Sequence, residues 1–470
     1  MLSFLLFLLA FTSRTGTKKS VPDSTDTTAP FVFHAKDHKG KSVTTSNGVI
    51  SFTSGLHNDY YLVDSVNKTG YVYVEARLGK FLNDQAKRIP LNISIVIDRS
   101  GSMEGIKMGY AKKAAKGIID QLKPEDIVSV VMYDTYVDTV QSPTHVVNKE
   151  TIKARIDKII PRASTNLWGG AEQGYQYVQK NYKPDFINRV LLISDGQANT
   201  GLTDSAMIHI KVQRYKDDNG ISLSTFGVGL DYNETLMTDM AETGAGNYYF
   251  IDAPEKLTKI FDNELNGLLN IAAQNAELKI RLPKGVTIQK GYPLQFHQNG
   301  DELTVTLRDL SSEETKAALF TFKIDDRLSS PLKFTSALSY TDAKDGQHKT
   351  ITNINTLAPV KSSDIYLTYF NSQVIKQTIL YTANERLEIA MNLMEKGDYA
   401  EAKKYLDNNN AYLRANALYV SKDLALKQMD SVNKNYSLQF AHARSMDADS
   451  LKKMQKANKA INYRIRNKKQ

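Results

Sequence analysis

The spacing of apolar residues changes along the chain, and between residues 89 and 272 it has a distinctive form. Nearly continuous apolar runs, which predict strands buried on both faces, cover 91–97, 127–132, 190–193 and 223–226. Segments with apolar residues at helical spacing lie between them, at 106–122, 167–178, 205–215 and 233–242, and a further helix is expected near 254–271. Buried strands that alternate with helices predict a doubly wound, mostly parallel α/β domain.

On both sides of this region the apolar residues alternate with period two, which predicts half-buried antiparallel strands. The alternating segments are 71–78 before the region and 278–282, 303–307, 318–324 and 332–338 after it. The early strands are too few to make a core alone. We therefore expect them to join the later strands in one β-sandwich, into which the α/β domain is inserted.

Helical spacing returns near residue 363 and continues to the end of the chain. A long helix is expected over 375–396. Gly397 fits the position after its C-terminus, and Asp398 fits the N-cap of a second helix. The three asparagines at 408–410 predict a break or a frayed end in that second helix.

These patterns divide the chain into six segments. They are 1–19, a signal peptide or N-terminal anchor; 20–45, a flexible linker; 46–88, strands of the flanking sandwich; 89–272, the α/β domain; 273–362, the rest of the sandwich; and 363–470, a helical region with a basic tail.

The N-terminal segment is apolar at ten of its first eleven residues, too short a run to span a bilayer as a helix. This indicates a signal peptide, although its basic residues follow the apolar run, so an uncleaved anchor stays open. We expect an exported protein of the periplasm, cell surface or medium. The chain has no cysteine, which favours a bacterial envelope protein over a disulfide-bonded animal one.

The net charge of +9 is concentrated at the C-terminus. The last twenty residues hold eight Lys or Arg and no acid, so the rest of the chain is nearly neutral. This excludes a general nucleic-acid binder. We expect a solvated helix end. The alternatives are peripheral contact of this tail or of the N-terminal segment with a membrane, and contact of the tail with a partner.

Polar side chains follow the ends of the buried strands or precede the helices of the α/β domain. In a doubly wound sheet these positions converge on the crevice where ligands bind. All of the side chains in question carry oxygen, which is the ligand that Mg²⁺ prefers. The candidate metal ligands are Asp98, Ser100, Ser102, Thr165 and Asp195.

The composition of this set favours binding over catalysis. Two carboxylates balance one divalent charge, and hydroxyls add ligands without charge. A position left to water could be taken by an acidic group of a partner. No base or nucleophile stands out, and no zinc-protease or phosphate-loop motif is present, so we expect no enzyme activity and no catalytic residue.

The order D-x-S-x-S, then T, then D-G resembles the metal-ion-dependent adhesion site of von Willebrand factor type A domains. The resemblance implies that the five residues bind Mg²⁺, with Mn²⁺ or Ca²⁺ as alternatives, and that a partner's Glu or Asp completes the shell. The layout is similar to that of bacterial surface proteins with an inserted type A domain and of inter-alpha-trypsin inhibitor heavy chains. We therefore expect a metal-dependent adhesion or protein-binding protein. A scaffold subunit of a multi-protein assembly is the alternative.

Overall fold

The computed structural model of the chain describes residues 33, 35–66, 68–80, 89–195, 198–229, 232–251, 260, 263–265, 267–268, 270–292, 296–442 and 446–468. The predicted segment 1–19 lies outside these residues, as do most of the predicted linker and most of the helix expected near 254–271. Within the described ranges, no helix combines the length and the apolar character needed to cross a membrane.

The strands, in chain order, are β1 (Val43–Asn47), β2 (Ile50–Leu56), β3 (Tyr60–Leu62), β4 (Thr69–Leu78), β5 (Leu91–Asp98), β6 (Ile127–Tyr133), β7 (Val137–His145), β8 (Ile187–Ser194), β9 (Ser222–Val228), β10 (Ala245–Ile251), β11 (Ile271–Arg281), β12 (Val286–Tyr292), β13 (His297–Asn299), β14 (Glu302–Ser311), β15 (Thr315–Ile324), β16 (Leu332–Asp342) and β17 (His348–Val360). The α-helices that are described throughout their length are α1 (Ile106–Gln121), α2 (Lys149–Asp157), α3 (Leu167–Lys180), α4 (Ser205–Asn219), α5 (Glu234–Thr243), α6 (Ser363–Thr368), α7 (Ser372–Glu395), α8 (Tyr399–Ala415), α9 (Ala417–Val420), α10 (Leu424–His442) and α11 (Ala448–Arg466).

Six strands form the central sheet of the α/β domain, in the order β10-β9-β8-β5-β6-β7. Neighbouring strands are parallel except for β6 and β7, which are antiparallel. The chain order proceeds outward from β5 in both directions, so the topology reverses at β5. The carboxyl ends of β5 and β8 therefore lie side by side. At this edge β5 ends with Asp98, and Asp195 follows β8.

Alternate residues of β5 pack into two separate cores. Ile93 and Ile95 contact the layer that contains α1 and α2. Val96 contacts the layer formed by α3, α4 and α5 on the opposite face. All eight residues of β5 are buried, which is why this strand is a continuous apolar run rather than an alternating one. The predicted doubly wound α/β fold is confirmed.

The strands before and after the α/β domain form one β-sandwich, as predicted. One sheet has the order β1-β2-β4-β15-β12, and the other has the order β13-β14-β11-β16-β17-β3. The early strand β4 pairs with the late strand β15 over nine residue pairs. The inward faces of the two sheets share a core that includes Phe52, Phe320 and Phe334. The α/β domain is thus inserted between Leu78, where β4 ends, and Ile271, where β11 begins.

A helical hairpin made of α7 and α8 follows the sandwich, and its turn has the predicted chemistry. Gly397 has a φ of +80°, a conformation that glycine adopts without steric cost. The backbone N–H of Asp398 donates to the carbonyl of Leu393 (2.9 Å), which closes the end of α7. The Asp398 carboxylate then accepts a hydrogen bond from the Glu401 N–H (3.2 Å) and caps α8.

The predicted break at 408–410 is wrong, because α8 continues through these asparagines to Ala415. Asn409 is fully buried. Its amide donates to the Ala383 carbonyl and to the Asn433 side chain, each at 2.9 Å. Asparagine disfavours helices when its side chain competes for the local backbone. Here neighbouring helices supply the partners, so that competition is removed.

The basic helix α11 is packed against the rest of the chain, so the prediction of a solvated helix end is wrong. Lys456 is buried. Its Nζ donates to the Tyr232 carbonyl (2.9 Å) and lies 3.5 Å from the centroid of that tyrosine ring. Arg466 makes two 3.0 Å hydrogen bonds to Glu388 and also pairs with Glu242. Two of the tail's cations thus have partners inside the chain: a backbone carbonyl for Lys456, and acids of α5 and α7 for Arg466.

Candidate metal centre

Asp98, the last residue of β5, is fully buried and accepts three hydrogen bonds. Its Oδ1 accepts from the Ser100 N–H (2.8 Å), and its Oδ2 accepts from the hydroxyls of Ser194 (2.6 Å) and Tyr133 (3.2 Å). Burial is the main reason that the pKa of Asp98 rises to about 6. The hydrogen bonds from Ser194 and Ser100 lower it, and the nearby charge of Asp195 raises it. A desolvated carboxylate of this kind is stabilised by a cation.

The loop after β5 places two hydroxyls side by side. The Oγ atoms of Ser100 and Ser102 are 3.0 Å apart. Ser100 is buried and Ser102 is exposed, so the pair extends from the strand end to the surface. The N–H of Gly101 donates to the carbonyl of Ala163 (3.0 Å), which joins this loop to the segment before α3. One side of the site is therefore closed and the other faces solvent.

Thr165 is buried just before α3 and is held through its backbone. Its N–H donates to the Asn199 side chain (2.8 Å), and its carbonyl accepts from the N–H groups of Asn199 (3.1 Å) and Thr200 (3.2 Å). The side chain of Asn166 caps α3 by accepting from the Gly169 N–H (3.0 Å). These bonds attach the second fragment of the site to the segment that follows β8.

Asp195 completes the set and is fully buried. Its Oδ2 accepts a hydrogen bond from the Lys107 ammonium at 3.0 Å. Its Oδ1 has no hydrogen-bond partner among the residues that the structure describes. A buried carboxylate oxygen without a partner is unfavourable unless a cation or a donor reaches it. A metal ion could therefore bind this oxygen.

An ion-pair network beside the site fixes the two loops relative to each other. Asp134 is buried, and its Oδ2 lies 2.9 Å from the Nε of Arg99 and 2.7 Å from the Nε of Arg162. The Arg162 N–H also donates to the Arg99 carbonyl (2.8 Å). Burial acts to raise the pKa of Asp134, but the Tyr136 N–H and the two guanidinium groups hold it below its ordinary value. Both guanidinium groups are thus engaged at Asp134, beside the candidate ligands.

The five predicted residues fit a divalent cation. Each carries side-chain oxygen, and they lie on three segments that are connected by the bonds described above. Among the described residues, no three His, Cys, Asp or Glu side chains form a group that could hold a metal. The candidate set has two carboxylates, so its other side-chain ligands would be hydroxyls. A set with two carboxylates and three hydroxyls suits Mg²⁺ better than softer metals. Mn²⁺ and Ca²⁺ are the alternatives.

Three residues that support the site were not predicted: Ser194, Tyr133 and Lys107. Ser194 directly precedes Asp195, so its position at the end of β8 could have indicated a role. Tyr133 likewise ends β6, next to β5 in the sheet. Lys107 lies in the first turn of α1, and the fold brings its ammonium to Asp195 from 88 residues away in the sequence. No spacing rule identifies such a contact.

Residues 92–263 match the family model of the von Willebrand factor type A domain. All five candidate ligands lie within the matched range. The match over this region agrees with the resemblance drawn from the motifs of the chain. Domains of this family generally mediate protein–protein interaction and adhesion.

The chain is 32% identical over 199 residues to the protein YfbK of Escherichia coli (strain K12), an alignment that covers 42% of this chain and 34% of that protein. It is 32% identical over 174 residues to inter-alpha-trypsin inhibitor heavy chain H2 of Mesocricetus auratus, covering 35% of this chain and 18% of that protein. The chain thus spans about a third or less of the length of these relatives.

Similarity to a solved structure extends beyond the type A domain. The structure described as von Willebrand factor type A from Catenulispora acidiphila superposes with a TM-score of 0.65, covering 83% of this chain and 92% of that one. Sequence identity over this superposition is 16%, so the likeness shows a shared fold.

Proposed function

We propose, from the premise that residues 92–263 form a type A domain, that this chain is a divalent-metal-dependent binding protein that captures an acidic side chain of a protein partner. Asp98, Ser100, Ser102, Thr165 and Asp195 would hold the metal, with Mg²⁺ the preferred ion. When bound, the ion supplies an electrophilic position that a carboxylate from another protein can fill.

The observation that carries this proposal is Oδ1 of Asp195, which has no hydrogen-bond partner in the described part of the chain and lies near the buried carboxylate of Asp98. Two desolvated carboxylates near each other repel unless a cation lies between or beside them. The lysine ammonium contacts only the other oxygen of Asp195. A divalent ion would relieve the remaining repulsion and give that oxygen a partner.

The exposure of Ser102 explains how a partner could reach the site. Ser100 is buried against the strand end, whereas its neighbour Ser102 is open to solvent. An incoming carboxylate would approach from the Ser102 side without moving the sheet. The Arg99–Asp134–Arg162 network holds the surrounding loops in place before the partner arrives. Such preorganisation lowers the entropic cost of binding.

We propose binding rather than catalysis because each carboxylate of the site already accepts a hydrogen bond, and the remaining oxygen of Asp195 would be taken by the metal ion. Asp98 accepts hydrogen bonds from Ser194 and Tyr133, and Asp195 accepts one from Lys107. Neither carboxylate is placed as a free general base. Export to a bacterial envelope is part of the proposal, and cell fractionation tests it.

The test is affinity capture from an envelope extract in Mg²⁺ with the immobilised chain and its Asp195→Asn variant. Asp195→Asn keeps the side-chain shape and removes the charge that attracts the metal. The matched control is Asp185→Asn, because Asp185 is exposed and precedes β8, at the opposite edge of the sheet. Circular dichroism checks that both variants are folded.

We expect a protein retained by the unmodified chain and by Asp185→Asn, lost with Asp195→Asn, and released by EDTA. Equal retention by all three chains, with or without EDTA, would move binding to the sandwich or the helical region. The type A domain would then serve as a structural module.

A further inference from the structure

Lys107 provides the ammonium that faces Asp195 at the candidate metal site. It is the second residue of α1, and its Nζ lies 3.0 Å from Oδ2 of Asp195. The Asp195 side chain is fully buried, and the Lys107 side chain is 23% exposed. An ion pair with one buried partner is screened by water much less than a surface pair. This contact therefore carries more energy than an ordinary surface salt bridge.

Gly229 provides the space through which the Lys107 side chain reaches Asp195. A Cβ at Gly229 would lie 2.5 Å from Cε of Lys107 and 3.2 Å from its Cδ. Gly229 also has a φ of +85°, in the region that side chains rarely adopt. The loop after β9 thus accommodates the lysine by having no side chain at this position. The Lys107 side chain therefore packs against the backbone of Gly229 where it approaches Asp195.

The two carboxylates of the site are stabilised in different ways. Asp98 accepts three hydrogen bonds from neutral groups, whereas the described partner of Asp195 is the Lys107 ammonium alone. Removing one member of a pair that includes a buried charge leaves that charge uncompensated. Without Lys107, Asp195 would therefore be a strongly destabilising group in the metal-free protein.

We propose that Lys107 is a positioning residue that holds the Asp195 carboxylate in place when no metal is bound and competes with the metal for that carboxylate. The first half of this inference concerns only the metal-free protein. The second half rests on the proposed metal site. Because the ammonium and a metal ion neutralise the same group, their stabilising effects are not additive.

The same ammonium also sets the charge of the loaded site. A divalent ion would balance the charges of Asp98 and Asp195, and Lys107 would then leave one positive charge in excess. That excess favours an anionic ligand over a neutral one. Lys107 thus links metal binding to the preference for an acidic side chain.

The test compares the thermal unfolding of Lys107→Met and Lys107→Arg with that of the unmodified chain, in EDTA and in Mg²⁺. Methionine keeps the length of the side chain without its charge, and arginine keeps the charge. Lys113→Met is the matched control, since Lys113 is exposed on the same helix. The single variant Asp195→Asn and the double variant that combines Lys107→Met with Asp195→Asn complete a double-mutant cycle.

In EDTA we expect Lys107→Met to lower the midpoint by roughly 4–8 °C. The same change should have little effect in the Asp195→Asn background, and Lys107→Arg should restore most of the loss. Adding Mg²⁺ should raise the midpoint of thermal unfolding more for Lys107→Met than for the unmodified chain. Calorimetry should show about tenfold tighter Mg²⁺ binding by this variant.

If Lys107→Met lowered the midpoint of thermal unfolding equally in the unmodified chain and in Asp195→Asn, the positioning role would be overturned. The lysine would then act through something other than Asp195. Weaker Mg²⁺ binding by Lys107→Met would overturn the competition. If the unmodified chain fails to bind Mg²⁺ at all, the proposed function fails. The cycle in EDTA still decides whether Lys107 positions Asp195.

Discussion

Glu234 is a buried acid at the junction between the type A domain and the C-terminal helix α11. It is the first residue of α5 and is 8% exposed. Its Oε1 accepts a hydrogen bond from the Tyr248 hydroxyl (3.1 Å), and its Oε2 has no hydrogen-bond partner within the described residues. Burial raises the pKa of Glu234 to about 7, although Lys459 and Lys456 act to lower it. We expect this carboxyl to make stability depend on pH.

The direction and size of the effect follow from the two pKa values. The carboxyl has an ordinary pKa of 4.5 and a folded-state pKa of about 7. Because the folded value is the higher one, the stabilising contribution is complete below pH 4.5 and is lost as the pH rises through 7. The difference between the two pKa values corresponds to a loss of about 3 kcal/mol in the free energy of unfolding between these pH limits. Glu234→Gln removes the titration, so it should be more stable than the unmodified chain at pH 8 by about 2–3 kcal/mol.

The assay is urea unfolding of both chains from pH 4.5 to pH 8, followed by circular dichroism. Comparing the chains at each pH cancels the titration of all other groups. Glu125→Gln is the control, because Glu125 is exposed in the turn after α1. The difference in the free energy of unfolding between Glu234→Gln and the unmodified chain should be near zero at pH 4.5 and should grow as the pH rises through 7. A constant difference across this range, or a less stable variant at pH 8, would refute the reasoning.

Three further changes test the packing and the site. Gly246→Ala should abolish folded, soluble protein, because a Cβ there would lie 1.9 Å from a carbonyl oxygen of β9. A native circular dichroism spectrum of this variant would contradict the prediction. Arg466→Ala should lower the free energy of unfolding by about 2 kcal/mol, since it leaves Glu388 without its two 3.0 Å hydrogen bonds. Denaturant unfolding measures this loss, and an unchanged unfolding midpoint would contradict it. Ser194→Ala removes the 2.6 Å hydrogen bond that orients Asp98. Calorimetry should show that this variant binds Mg²⁺ about fivefold more weakly. An unchanged affinity for Mg²⁺ would exclude an orienting role for Ser194.

The α/β domain was predictable because its strands are buried on both faces and therefore appear as continuous apolar runs. The ends of β5 and β8 were predictable for the same reason. The motif could consequently be assigned to the crevice of the sheet, where the structure places Asp98 and Asp195. Whether these residues hold a metal stays a prediction. The insertion into a sandwich was predictable from the small number of early strands, since β4 needed partners and finds one in β15.

Elements with mixed exposure were not predictable. The edge strand β7 is only partly buried along its length, so it shows no apolar run, and α2 buries just Ile152 and Ile156. The burial of α11 was also missed. Basic residues usually indicate solvent, but here Lys456 and Arg466 have partners far away in the sequence. Contacts of this kind depend on the tertiary fold and leave no local signal.

The most direct test of the proposed site is a calorimetric titration of Mg²⁺ into the unmodified chain, its Asp98→Asn variant and the Asp185→Asn control. Asp98→Asn keeps the shape of the buried side chain and removes the charge that the ion would balance. One saturable site per chain is predicted for the unmodified protein and for Asp185→Asn, with no such site in Asp98→Asn. Equal Mg²⁺ binding by Asp98→Asn, or none by the unmodified chain, would contradict a metal site at this edge of the sheet.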